Sequence, residues 1–400
     1  MRRSFAHSLK RRQGHPVVRL NVQSPPSVSE SRKTFEMPLE QFYGPSRTTS
    51  KEMGVLLGTI GKKVRSHYEA VINGDLERGK RYYRDLYSIS SATLREAFWM
   101  EVDNATVYAP RGLIVSDDGS LLMEAMFDNT LEICRKDLRQ GHREAHGIEP
   151  RVLSLLAPFS DTHNYAHWLM DSMVKLAPFK TPFDFCVLIP PGSPRFVRDS
   201  LSVAGFQAEQ IIEAVEGPNR CSRLIVSRVQ DRTGEPRTSA LHLLREMLLR
   251  AAPSTPASKR ERLYIGRKAG TRRIVNEDEL EPILLEFGIR RVESERLSFS
   301  EQVDLFSKAE FILGAHGAGM LNSIFAPEGA IVMEIYNEKK WDPPCRKICS
   351  QLGLFHWHMW GRNVGNNWDT FVDPERLREA IRASVAFHRS AESIGGIDSL

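Results

Sequence analysis

The chain has 400 residues, 41% of them hydrophobic and 26% charged, with a net charge of +5. That length accommodates two domains with separate cores, and no run of 18 apolar residues exists to make a spanning helix. With no apolar h-region at the start and five cysteines, an odd number, a secretory signal and a disulfide framework are not expected, and a reducing, cytoplasmic setting is.

Residues 1–50 read as a disordered basic tail with Pro25-Pro26 and many serines. Arg2, Arg3, Lys10, Arg11, Arg12, Arg19, Arg32 and Lys33 face only Glu30. Such a stretch is either solvated or an electrostatic attachment to an anionic membrane surface, peripheral at its inner face. A transit peptide has similar composition. Interleaved aromatics are missing, so nucleic acid is not an expected partner.

Helix is expected within 51–90. Thr106–Tyr108, Leu113–Val115 and Leu121–Met123 read as strands of a short meander, with a turn at Asp117-Asp118-Gly119. From about 150 the pattern becomes α/β. Phe185–Ile189 and Leu224–Val226 are strand-like, whereas Phe196–Ala204 and Ser239–Ala251 are helical. The run Ala252-Pro-Ser-Thr-Pro-Ala-Ser258 reads as a linker. The expected division is a tail at 1–50, an N-terminal domain at 51–250, a linker at 251–259 and a C-terminal domain at 260–365. A last helix at 374–390 is expected to pack back on the N-terminal domain.

Past the linker the alternation is regular. Strands are expected at Leu263–Ile265, Arg291–Val292, Phe311–Leu313, Ile331–Ile335 and Phe355–Met359. Asn276 with Glu279, and Ser298 with Glu301, read as capping boxes of two intervening helices. Alternating strands and helices imply a parallel, doubly wound sheet, which binds ligands beyond the carboxyl ends of its strands.

Four features fall at that edge. Gly314, Gly317 and Gly319 follow a buried strand and precede the apolar run Met320–Phe325, so strand, tight turn and helix start make an anion site around His316. Arg267 and Lys268, with Arg272 and Arg273 close by, suit a diphosphate. Glu334, at a strand end, suits ribose hydroxyls. Asn322 lies one turn into the helix. The glycine spacing is G-x-x-G-x-G rather than that of a dehydrogenase. In the first domain, Asp161-Thr-His163-Asn-Tyr-Ala-His167-Trp-Leu-Met-Asp171 gathers titratable groups beside aromatics. Asn164 or Thr162 can cap a helix on which His167 and Asp171 share a face. The pair reads as a base and its orienter, as a carboxylate base, or as a structural pair. His163, His167 and Asp171 also have ligand types for a metal. So do Cys345, Cys349, His356 and His358, although their spacing matches no common zinc finger.

Three of these stretches resemble glycosyltransferase family 61. Asn164-Tyr-Ala-His167-Trp-Leu-Met-Asp171 is similar to its N-Y-x-H-W-L-x-D segment. Tyr264-Ile-Gly-Arg267-Lys268 resembles its Y-I-S-R-[RK] segment, with Gly266 where serine is usual. His316-Gly-Ala-Gly319-Met-Leu-Asn322 resembles its H-G-A-G-L-x-N segment. The likeness runs over roughly 105–360 and is strongest over 263–336. It implies a GT-B-like α/β fold with two facing Rossmann-like domains, the donor in the C-terminal one and the acceptor toward the other. It also implies inverting transfer from a nucleotide sugar, a UDP-sugar by expectation, to a glycan or lipid-linked glycan in polysaccharide, capsule or exopolysaccharide synthesis. No Asp-x-Asp pair occurs, so the expected catalysis uses no metal and no cofactor. On that reading Arg267, Lys268, Arg272, His316, Gly317 and Gly319 hold the diphosphate, and Asn322 and Glu334 serve the nucleoside or the loop. Asp171 or His167 is the base. The competing expectations are a non-catalytic nucleotide- or glycan-binding subunit of a polymer-assembly complex, and a nucleotide-dependent oxidoreductase.

Overall fold

The computed structural model describes residues 98–122, 137, 144–252, 260–267, 270–340 and 344–393, with the backbone of 32–34. The expected helix at 51–90, residues 253–259 of the expected linker and Lys268 lie outside the described residues. In the first half, β1 (Arg32–Thr34), β2 (Phe98–Ala109), β3 (Leu113–Val115), β4 (His146–Ser154), β5 (Cys186–Ile189), β6 (Ile211–Glu213) and β7 (Gly217–Arg228) form one sheet. Its order is β1-β2-β7-β4-β5-β6, with β3 paired to β2. Pairings β4–β5, β5–β6 and β4–β7 are parallel, whereas β2 runs antiparallel to β1, β3 and β7. The sheet is therefore parallel-rich but mixed. The meander has joined it, because β2 and β7 are both 12 residues long and pair along nearly their whole length. β1 places three residues of the expected tail at an edge of this sheet.

A two-stranded ribbon, β8 (Gln230–Arg232) with β9 (Glu235–Pro236), leads into the second half. There β10 (Glu261–Ile265), β11 (Arg290–Val292), β12 (Ala309–Ala315), β13 (Ile331–Asn337), β14 (Phe355–Val364) and β15 (Asp369–Phe371) form a sheet ordered β11-β10-β12-β13-β14-β15. All its pairings are parallel except β14–β15. β12 and β13 read as continuous apolar runs because helices cover both faces. Ile312 and Val332 enter the core between the two sheets, whereas Phe311, Leu313, Ile331 and Met333 enter the core on the outer face. The result is an α/β arrangement of two sheet-and-helix halves beside a cleft.

The helices are α1 (Tyr165–His167), α2 (Arg195–Ala204), α3 (Thr238–Ala251), α4 (Glu277–Glu286), α5 (Phe299–Ser307), α6 (Pro344–Gln351) and α7 (Pro374–Ser393). Ser298 and Glu301 make the expected capping box on α5. Asn276 does not cap α4 with its side chain. Instead it accepts from Val372 N at 3.0 Å and donates to Val372 O at 2.7 Å, tying the start of α4 to the segment before α7. α7 packs on the C-terminal half rather than back on the N-terminal one. Its apolar stripe of Leu377, Ala380 and Ile381 meets Leu280 and Ile283 of α4, and Arg378 and Arg382 pair with Glu286 at 2.8 and 2.7 Å.

The two halves share one core. Leu169, Val187 and Leu241 from the first pack in a single cluster with Ile265, Phe299, Ile312 and Phe325 from the second. Polar ties cross the same boundary. Arg245 of α3 donates to Ile324 O at 2.8 Å and Ala326 O at 2.9 Å, satisfying carbonyls at the end of a helix, which have no partner within it. Tyr165 donates to Asn322 Oδ1 at 2.5 Å, and Asn322 Nδ2 donates to Gln302 Oε1 at 2.8 Å, with Asn322 fully buried. Tyr165→Phe leaves that buried carbonyl oxygen without its donor and is expected to destabilise the fold by about 1–3 kcal/mol. Urea denaturation checks this, and an unchanged midpoint would rule out the tie as a stabilising contact.

Candidate active site

β10 is followed by a connection to β11 on one side of the sheet, and β11 by a connection to β12 on the other. The loops after β10 and β12 therefore part at a topological switch point, where open α/β sheets leave a crevice. The loop after β10 crosses the carboxyl edge of the sheet as far as β15, where Ile274 bridges Thr370 and Arg273 pairs with Asp369 at 2.7 Å. Arg267 rides on this loop, donating from Nη1 to Thr271 O at 2.9 Å. Its guanidinium lies against the backbone of Gly317, the first residue past the β12 loop, and a Cβ at 317 would collide with it. Burial, and then the neighbouring charge of Arg272, lower the pKa of Arg267 from its ordinary value. Among the described residues no carboxylate forms a salt bridge with Arg267 or Arg272. Two clustered guanidiniums without a paired anion make an anion site. The expected helix after the glycine turn is a 3-10 helix, Ala318–Phe325. Its first internal bond runs from Met320 N to Gly317 O, leaving the amides of Ala318 and Gly319 ahead of it.

Behind this turn sits Glu334. It lies in the middle of β13 opposite Gly314, not at a strand end, because the strand runs two residues past the expected boundary. It is fully buried. His316 Nδ1 bonds its Oε1 at 2.9 Å, and Tyr336 Oη and His356 Nε2 bond its Oε2 at 2.8 and 2.9 Å. Burial works to raise the carboxyl pKa, but the hydrogen bonds from His316 and His356 outweigh it and hold the group ionised well below the usual range. A carboxylate so engaged orients His316. The ribose contact expected of it is corrected to this role.

The opposite wall comes from the first half. Asn164 caps the helix start by accepting from Ala166 N at 2.8 Å, so α1 begins at Tyr165. The chain then continues through a π turn, Trp168–Ser172, which buries Asp171 completely. Asp171 accepts from His167 Nδ1 at 2.8 Å, Gln230 Nε2 at 2.7 Å, Thr233 Oγ1 at 2.6 Å and Gly234 N at 2.6 Å. A carboxylate can only accept, so Nδ1 of His167 carries the proton and Nε2 is left as the basic nitrogen. Phe159 stacks on the imidazole with centroids 4.7 Å apart. His167 is partly exposed, whereas Asp171 is not.

Both walls line one cavity of about 450 Å³, with His167 on one side and Arg272, His316 and Gly317 on the other. Glu334 reaches its back. Of the other sequence candidates, Asp171 stands behind His167, and Asn322 is spent on the Tyr165 tie. Gln230, Thr233 and Gly234, which fix Asp171, were not singled out from sequence, although Gly234 marks a turn. Glu235 and Lys347, an ion pair at 2.5 Å that joins the walls beside the cavity, carried no motif signal at all.

The donor atoms of Glu334, Cys345 and His356 all lie within 4.8 Å of one another. Three ligand types for a metal thus converge where the sequence suggested cysteines and histidines alone. Both Glu334 oxygens, however, already accept hydrogen bonds, and one comes from His356 itself. In this structure Glu334 and His356 of the set are engaged in a hydrogen-bond network. Burial, with the nearby His356 and Arg346 charges, pushes His358 down to about 3, so it stays neutral.

Two outcomes follow. Gly317→Ala drives Arg267 off the turn and is expected to weaken pyrophosphate binding at least tenfold while leaving the circular-dichroism spectrum unchanged. Because the Glu334 pKa is depressed in the fold, its contribution to stability is present above about pH 4.5, the ordinary value, and is lost as pH falls toward the folded value. The stability gap between the wild type and Glu334→Gln should therefore narrow below pH 4.5 in acid titrations followed by fluorescence.

With this geometry in place, comparison with known proteins is specific. A family model described as Glycosyltransferase 61 matches residues 165–333. An EGF domain-specific O-linked N-acetylglucosamine transferase of Drosophila melanogaster is 32% identical over 112 residues, 27% of this chain and 21% of that protein. A protein O-linked-mannose beta-1,4-N-acetylglucosaminyltransferase 2 of Takifugu rubripes is 33% identical over 126 residues, 30% of this chain and 21% of that protein. The chain thus spans about a fifth of the length of these relatives. Among solved structures, E. coli heptosyltransferase WaaC with ADP aligns over 60% of this chain and 100% of its own, at 8% identity and a TM-score of 0.29. The stretch that the family model matches, residues 165–333, carries His167, Asp171, Arg267, Arg272 and His316.

Proposed function

We propose that the protein is an inverting glycosyltransferase that moves a sugar from a nucleotide-sugar donor, a UDP-sugar, to a hydroxyl acceptor without a metal. The observation that carries this reading is that Arg272 and His316 face a carboxylate-held imidazole, His167, across one cavity, with Arg267 against Gly317 of the same turn. Transfer needs the diphosphate leaving group neutralised, and Arg267, Arg272, His316 and the amides after Gly317 supply that charge where it develops. The acceptor hydroxyl must lose its proton on the face opposite the leaving group, and His167 Nε2 takes it while Asp171 stabilises the imidazolium. The names of the relatives support an N-acetylhexosamine as the transferred sugar and a glycan or protein-borne acceptor. They give no support to capsule or exopolysaccharide synthesis. The basic tail supports work at an anionic membrane surface on its cytoplasmic side.

The test begins with thermal shift against UDP, GDP, CMP and NAD. A shift with UDP and none with NAD supports the donor class, and the reverse would favour an oxidoreductase. Donor turnover then separates an enzyme from a binding subunit. Arg267→Ala is expected to lower kcat by ~10²–10³, the cost of one charge-stabilising donor. His167→Ala is expected to lower it by ~10²–10⁴ with nucleotide affinity retained. Undiminished turnover in His167→Ala would remove the base assignment.

A further inference from the structure

We propose that Glu334, Cys345 and His356 form a binding site for a zinc-class divalent ion that braces the back of the cavity. The three residues stand 11 apart in the sequence, at 334, 345 and 356, on β13, α6 and β14. That spacing belongs to no short ligand motif, and the fold alone brings them together. β13 and β14 are parallel neighbours with Val332 opposite His356. Side chains two apart on a strand share a face, so Glu334 projects from the same face as Val332. Val332 and Cys345 lie in one core cluster, which makes this the face that α6 covers. Glu334 and Cys345 are buried, and the His356 side chain is only 6% exposed.

The distances suit an ion. One ligand atom from each residue lies within 4.8 Å of the other two. Three such atoms share a point no more than about 2.8 Å from each, and zinc bonds to sulfur, nitrogen and oxygen run about 2.0–2.3 Å. Side-chain shifts below about 1 Å therefore complete the coordination. The donor set is selective too. Thiolate, imidazole and carboxylate are zinc ligands, whereas Mg²⁺ and Ca²⁺ take oxygen. Cys345 Sγ has only long contacts to Ser323 Oγ and Met320 O, both 3.9 Å. Glu334 and Cys345 both line the cavity, which gives the ion its entry path and faces its fourth position. The ion takes the place of the proton that His356 Nε2 now shares with Glu334 Oε2. That proton moves to Nδ1, and the Cys345 thiol releases its own to solvent. Glu334 keeps His316 on Oε1 and Tyr336 on Oε2, so the ion stiffens the support behind His316. No step of the transfer proposed above passes through it.

The full chain, stripped with a chelator and kept reduced, tests this by titration with Zn²⁺, Co²⁺ and Mg²⁺. One equivalent of zinc is expected to bind, to raise the Tm and to bind more tightly as pH rises, because a proton is released. Cobalt should give a thiolate-to-metal charge-transfer band, and magnesium should do nothing. Cys345→Ser is expected to abolish that band and to weaken zinc about a hundredfold or more, since even outer-shell partners are worth about 10–100-fold. His356→Ala should weaken zinc as much, and Cys349→Ser should keep the band. Circular dichroism checks that each variant is folded. A wild type that binds no zinc, or shows no cobalt–sulfur band, overturns the site whatever the variants do. A band that survives Cys345→Ser overturns it by placing the ion on another cysteine, and loss of the band in Cys349→Ser overturns it by moving the ion to the α6 thiols.

Discussion

The Arg267 guanidinium lies against the backbone at position 317, and it does so because residue 317 has no side chain. The rest of the donor wall depends on that approach. It joins the loop after β10 to the loop after β12 across the switch point and puts a cation over the amides that begin the following helix. Arg267 reaches Gly317 only if β10 and β12 are neighbours in register. Their pairing sets Ile265 against Gly314, where another side chain would meet Ile265 and the Met320 sulfur. Two glycines thus serve approach rather than turn conformation. Gly319 has ordinary room around it, so its conservation of space is not what shapes the turn.

Both walls then solve the same problem in the same way. Each offers an imidazole to the cavity and fixes the ring through Nδ1 to a carboxylate without solvent exposure, Asp171 for His167 and Glu334 for His316. Burying a carboxylate is costly unless every lone pair finds a donor. Asp171 meets that cost with Gln230, Thr233 and the Gly234 amide, and Glu334 with Tyr336 and His356. The chemical consequences differ because the neighbours differ. His167 stacks on neutral Phe159, whereas His316 lies beside Arg272 and Gly317 in the cavity lining.

Much of this was legible in residue order. The apolar run at Phe311, the glycines after it, the Ser298 capping box and the Asn164 start of the helix depend on local rules, and the structure has each of them. What sequence hid was set by distant partners. Asn276 has the spacing of a cap, yet its amide is drawn to Val372, 96 residues away. Glu334 looked like a strand terminus because a strand's end depends on its neighbours, and β14 extends the pairing through Asn337. The mixed character of the first sheet was equally hidden. β2 and β7 are separated by more than a hundred residues, and the apolar run at Leu224–Val226 marks only the part of β7 that is most buried. Gln230, Thr233 and Gly234 were invisible because a ribbon between two halves has no periodicity to report.

The shared core bears on how the cavity works. Two domains joined by a flexible linker would have to bring His167 and Arg272 together for each ligand and lose orientational freedom in doing so. Here Leu169, two residues from His167, packs in the same apolar cluster as Ile265 and Phe325 of the opposite half. Tyr165 and Arg245 lock that boundary with buried hydrogen bonds, and the Glu235–Lys347 pair ties the walls again beside the cavity. The separation of His167 from the cation pair is then fixed by packing before any ligand arrives. For the transfer proposed above, holding the groups in place in this way would supply a large part of the barrier reduction. It also means that a small change in core volume at Leu169 or Phe325 shifts one wall against the other. The geometry of the site is thus a property of the boundary between the halves as much as of the residues that face the ligand.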